Sequence, residues 1–264
     1  GPAKPSPCVV LDMPHTPPPA HAPAPPWQRH GLPTLVPAFL GLVVLTIAGF
    51  WVPYFSRLPG TFDLLTHAHA ASMLAWCALL IQQARLARRG DWPRHRAWGR
   101  TSYGLFPLTA VLALVLGQQR TAAALTPEGA LPAEHAAFVF IALGMTALFV
   151  LAWVLAIAWR RQPAVHARFM VGTALAMIDP ALARLLHYTL PEPPFRGELL
   201  AFGAVDLLLA WLVWRERGQA RGRWVFPALL VAFVAFQVGV FTLAESAAWQ
   251  RFAEAYAAIG LRAR

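Results

Sequence analysis

The sequence predicts an all-α protein, an integral membrane bundle of seven transmembrane helices with the N-terminus inside and the C-terminus outside. Three observations point there. Apolar windows of about 20 residues recur along the chain, the length a helix needs to cross a ~30 Å hydrocarbon core at about 1.5 Å per residue. Of the 264 residues, 58% are hydrophobic and 13% charged, where soluble domains have about 45–50% and about 25%; mean hydropathy is +0.50. Finally, the arginines behind the net charge of +10 sit in short loops between the apolar runs, the placement that marks cytoplasmic loops. They form no basic stripe on a polar face, so the sequence points to the lipid bilayer as partner and away from nucleic acid.

The elements follow in order. Residues 1–31 are proline-rich and read as a disordered cytoplasmic tail, which carries Cys8, His15, His21 and His30. Residues 32–246 hold the seven spans. The first is expected over 33–54, with Pro37 and Pro53 near its ends and Trp51 and Tyr54 at the interface. The second covers 63–84, followed by a loop with Arg85, Arg88, Arg89, Arg94, Arg96 and Arg100 against one acid, Asp91. The third, over 93–118, starts from Asp91 as N-cap with Pro93 in its first turn. Spans four to seven are expected at 133–159, 163–188, 197–214 and 224–243, with arginines again in the loops after spans four and six. Residues 247–264 read as an outer amphipathic tail, with Trp249, Phe252, Tyr256 and Ile259 on one side. Arginine-rich loops alternating with arginine-poor ones set the orientation, and the membrane expected is a bacterial inner membrane. Cys77 lies inside a span far from Cys8, so neither a disulfide nor a thiolate metal site is expected.

Spans two and three resemble spans four and five. The first hairpin reads His67-x-His69, Trp76, Arg88-Arg89, Pro93, His95-Arg96; the second reads Glu134-His135, Trp153, Arg160-Arg161, Pro163, His166-x-Arg168. Either this is a parallel repeat about an axis along the membrane normal, or both hairpins carry the arginines and tryptophans that any outside-in-outside hairpin acquires.

Helical rise sorts the histidines by depth. His135 and His166 are separated by about 46 Å of helix, more than the ~30 Å core, so they belong to opposite sides. The outer set is His67, His69, His135 and His187; the inner pair is His95 and His166. Asp179, Arg184 and Asp206 lie inside spans. A charge at a helix centre costs about 2.5–3.5 kcal/mol on insertion scales, so such residues face the bundle interior and find partners. An Asp179–Arg184 or Asp206–Arg184 ion pair is the bland expectation. Positions two apart on a helix point about 200° apart, so only one of His67 and His69 faces a common site. His67 shares a face with Asp63, where a carboxylate can orient an imidazole. A metal such as Zn²⁺ would draw on His67, His69, His135, His187 and Asp179. Haem b would draw on histidines at two levels, His69 with His135 and His95 with His166. The alternative is that all are interfacial histidines bonded to loops and headgroups.

The run His95-Arg96-Ala97-Trp98-Gly99-Arg100, after a span that opens on His67/His69 and closes on Gln82-Gln83, resembles uncharacterised bacterial multi-pass proteins with a domain of unknown function. In these, one helix opens on histidine and the next on His-Arg-x-x-Gly. The pattern also resembles di-haem transmembrane cytochromes b, whose helix histidines sit at two membrane levels. Neither resemblance assigns a catalytic role. The function expected is therefore a histidine-containing outer pocket that binds a metal ion or haem for redox or metal-dependent chemistry. The rivals are a cofactor-free small-solute or proton-coupled carrier or sensor, and a membrane-embedded zinc hydrolase. The last would want a His-x-x-x-His pair, and the sequence has none.

Overall fold

The computed structural model describes residues 32–60, 62–190 and 196–259. The proline-rich tail with Cys8 and its three histidines, and the Pro191–Pro194 turn, lie outside them. The described residues contain no strand. Their helices, in order, are α1 (Leu32–Gly49), α2 (Leu64–Arg89), α3 (Trp92–Gly99), α4 (Ser102–Ala122), α5 (Ala133–Ala158), α6 (Pro163–Thr189), α7 (Arg196–Arg215), α8 (Val225–Thr242) and α9 (Ala247–Ala257). A 3₁₀ turn, Phe55–Arg57, separates α1 from α2.

Among the described residues, six stretches are long and apolar enough to cross a bilayer: α2, α3 with α4, α5, α6, α7 and α8. In α1 the apolar helix is shorter, Leu35–Gly49. Bilayer contact accounts for the outward side chains. Leu207 is 74% exposed and Val231 69%, and rows of this kind would be an aggregation hazard in water but suit lipid. The fold thus defines a helical, multi-pass membrane protein.

α6 is the centre of the bundle. Over its apolar window 56% is buried, against 22–39% in the other five stretches, and it packs on α1, α5, α7 and α8. Alanine, glycine and threonine along it (Gly172, Thr173, Ala174, Ala176, Ala181, Ala183) are buried, and small residues let helix backbones approach where lipid removes any hydrophobic drive between helices. Beside them Trp76 of α2 is fully buried, with Nε1 donating to Thr173 Oγ1 at 3.3 Å. Trp76 meets Phe106 and Phe149 edge-on, while Phe106 stacks flat on Trp153, centroids 4.3 Å apart. In bacteriorhodopsin such interhelical hydrogen bonds average about 0.6 kcal/mol, so ring packing outweighs the Trp76 bond.

Local sequence explains the tight α2–α3 corner. Gly90, at φ 71°, closes α2 in the left-handed conformation that glycine adopts without a Cβ penalty, and its N–H returns to Ala87 and Leu86 carbonyls. Asp91 then caps α3, accepting from the Arg94 N–H at 3.2 Å, with Pro93 in the first turn. The six arginines expected in one loop are in fact spread over the end of α2, α3 and the α3–α4 junction.

One expectation needs correcting, the end of the first span. The third span is found at Trp92–Ala122, its helix in two pieces, α3 and α4. It breaks at Arg100–Thr101, where the chain tightens into i→i+3 bonds from Tyr103 N–H to Arg100 and from Gly104 N–H to Thr101. Pro107, inside α4, also denies the Tyr103 carbonyl its helical donor. The first span ends at Gly49, five residues early. There a Cβ would stand 2.1 Å from the Ala181 carbonyl oxygen of α6, so α1 closes on α6 backbone to backbone.

Candidate functional site

The polar site is built around the middle of α6. Pro180, within the helix, leaves the Ala176 carbonyl without its helical N–H. Gly49 presses α1 on Ala181, and Gly197, whose Cβ would lie 3.0 Å from the Ala183 carbonyl, presses the start of α7 on the next turn.

Asp179 is 1% exposed, and neither carboxylate oxygen has a hydrogen-bond partner. Glu198, one residue after Gly197, has its Oε2 buried and equally without a partner. The charges of Glu198, Arg184 and Asp206 all act on Asp179, and that of Arg184 on His69. The expected Asp179–Arg184 and Asp206–Arg184 ion pairs are not formed. Arg184 lies over the Phe50 ring at 4.9 Å and donates to the Pro180 carbonyl at 2.9 Å. Asp206 accepts from Gln237 Nε2 of α8 at 3.1 Å. Asp179, Glu198, Asp206 and Arg184, fully ionised, would sum to two negative charges, with Asp179 buried, Glu198 and Asp206 half-buried and Arg184 exposed.

Of the outer histidines, only His69 joins this group. It is half-buried, with Nδ1 enclosed and unpartnered. His67 faces elsewhere: its Nδ1 pairs with the Tyr54 hydroxyl at 2.7 Å. The Asp63–His67 arrangement is replaced, because Asp63 turns back to cap α2, accepting from Thr66 N–H at 2.8 Å and from Thr66 Oγ1. Asp63 also accepts from Gln119 Nε2 of α4 at 2.7 Å. The Thr66 bonds, side chain first and backbone second, and then Gln119 hold this carboxyl down at about 2. His135 lies 3.8 Å from its neighbour Glu134, and His187 is exposed against Tyr188. Among the described residues no three His, Cys, Asp or Glu side chains converge as a metal-holding group, so His67, His69, His135, His187 and Asp179 are not brought into one cage.

His95 and His166 share one local arrangement. His95 feels the charge of His166, and each anchors Nδ1 on a backbone carbonyl of the preceding helix: Gln83 at 3.3 Å and Ala156 at 2.9 Å. A carbonyl acceptor fixes the proton on Nδ1 and leaves the Nε2 lone pair open, the state that metal or haem ligation requires. The Gln83 amide is buried with both polar atoms unpartnered, as is Trp153 Nε1.

Sequence reasoning missed Glu198 and the buried Arg168–Glu216 ion pair. Glu198 stands at the edge of its span, where an acid reads as interfacial. Arg168 reads as one more orienting arginine. Comparison of the chain with protein-family models, with curated proteins and with solved structures gives no match in any of the three.

Proposed function

We propose that this protein is a proton-coupled carrier or sensor for a small solute, working through the carboxyl cluster of Asp179, Glu198 and Asp206 beside Arg184 and His69. One observation carries the reading: Asp179 is enclosed at the bundle centre with no donor on either oxygen. Ionisable residues at such positions characteristically form proton relays and substrate pathways. Pro180 supports it too, since an interrupted helix frees backbone carbonyls beside the acid. The orientation that goes with this reading is seven spans, N-terminus inside and C-terminus outside, in a bacterial inner membrane.

The test is proton flux in proteoliposomes carrying a pH-sensitive dye. The wild-type chain is expected to dissipate an imposed pH gradient, and Asp179→Asn, which keeps the shape and removes the titrating proton, to fall at least tenfold towards empty vesicles. Equal flux in the two proteins sinks the reading.

A second reading rests on the His95–His166 pair, a site for haem b or a divalent metal. Both Nδ1–carbonyl anchors support it, and the match between the two supports a parallel repeat of the α2–α4 and α5–α6 hairpins. Bound haem would supply one-electron transfer, with His95 and His166 holding it. The absorption spectrum of the purified protein decides: a Soret band lost in His95→Ala is expected on this reading, and a featureless spectrum with no bound metal removes it.

A further inference from the structure

Glu198 differs from the other charged groups around Asp179 in where it stands. It lies in the first turn of α7 and is half-buried, while Asp179 is 1% exposed. Gly197 fixes its level, because a Cβ there would stand 3.0 Å from the Ala183 carbonyl and 3.5 Å from the His187 backbone nitrogen of α6. Ala183 is one turn past Asp179, about 6 Å of helix rise. Glu198 therefore sits about a turn nearer than Asp179 to the end of the bundle where α6 finishes and α7 begins, the outer end in the proposed orientation.

Both oxygens of Asp179, and Oε2 of Glu198, are enclosed without a hydrogen-bond partner. Three charged side chains act on Asp179: Glu198, Arg184 and Asp206. Arg184 also acts on Glu198 and on His69 of α2, but a guanidinium stays protonated and cannot hand a proton on. Asp206 accepts from Gln237 and lies about 12 Å of rise further along α7 than Glu198. His187, Tyr188 and Arg196 are exposed at the same end. Of the three groups that act on Asp179, Glu198 alone combines an exchangeable proton with a position at that end. A protonated carboxyl group is neutral, so it carries a proton past an apolar wall without the cost of a bare charge.

We propose that Glu198 is the proton shuttle of this site, passing protons between the outer end and Asp179; this rests on the proton-coupled reading. In the inward step the Glu198 O–H bond breaks and an O–H bond forms on an Asp179 oxygen. Glu198, left as a carboxylate in the field of Arg184, takes its next proton from water at the outer end.

Two measurements on the same reconstituted variants test it: proton flux in proteoliposomes, and the infrared carbonyl band of protonated Asp179 at equilibrium. Glu198→Gln keeps the side chain's shape without an acid. It is expected to slow flux at least tenfold while the Asp179 band still responds to pH, since Asp179 still protonates, only slowly. Glu198→Asp is expected to restore most of the lost flux. Wild-type flux in Glu198→Gln, with flux still lost in Asp179→Asn, overturns the shuttle and leaves the carrier reading standing. Loss of both flux and band in Glu198→Gln also overturns it, because Glu198 would then be holding the fold around Asp179. No flux in the wild-type chain defeats the carrier reading itself. Should Glu198→Gln fail to fold, Glu198→His takes its place. Its flux is expected to change through the imidazole range, about pH 6.5, and a pH profile identical to that of the wild type overturns the shuttle.

Discussion

Asp179 is the residue on which the proposed function turns, because nothing nearby satisfies its oxygens while three charged side chains act on it. The contrast with Asp63 is instructive. Asp63, exposed at the start of α2, is saturated with donors from Thr66 and Gln119 and held down at about 2. Its folded value lies below the unfolded one, near 3.8. The cap's contribution is therefore present above that unfolded value and lost as pH falls through about 2. Exchange protection of the Thr66 amide is expected to persist at pH 4 and to vanish near pH 2; protection lost already at pH 5 would contradict this assignment. Much of the residue-level site was legible in the sequence. Asp179, Arg184, Asp206 and His69 stand out because ionisable groups inside apolar runs need partners. Which partners they find was not legible. Asp63 and His67 share a helix face, yet the cap claims the acid and Tyr54, from a preceding turn, claims the imidazole.

For helices as elements, the site depends on how closely α1 and α7 approach α6. Gly49 and Gly197 set that distance, and neither announced itself, since a glycine's close contact belongs to the partner helix and not to its own neighbours in sequence. Gly49→Ala places a methyl group against the Ala181 carbonyl, backbone that cannot swing aside. A loss of about 1–3 kcal/mol is expected, the usual cost of overpacking, read as a lower unfolding midpoint in detergent. An unchanged midpoint would mean that α1 is not seated as described. Helix positions themselves were readable from hydropathy within a few residues, except where the backbone departs from i→i+4 bonding at Arg100–Thr101. The Pro107 signal was present there, but proline inside an apolar run does not say how far upstream the helix loosens.

Across the described residues, α6 is one of six spanning stretches and packs on α5, α7, α8 and the shorter α1, and the arginine-bearing corners alternate with arginine-poor ones. The orientation inferred from that alternation has a direct check. Single-cysteine variants in a background lacking Cys8 and Cys77, with Arg89→Cys or Arg161→Cys, are expected to react with an impermeant maleimide only after the membrane is opened. Glu128→Cys is expected to react in intact cells. Reversal of the two patterns would invert the bundle and put the His95–His166 pair on the outer side.

The central claim is that Asp179 exchanges a proton within the membrane. Infrared difference spectroscopy on the reconstituted protein, stepping pH across the working range, reads that exchange as the carboxylic acid carbonyl band gaining or losing intensity. Such a band is expected in the wild-type chain, absent in Asp179→Asn and retained in Asp63→Asn. A band that ignores pH, or one that survives unchanged in Asp179→Asn, would contradict it.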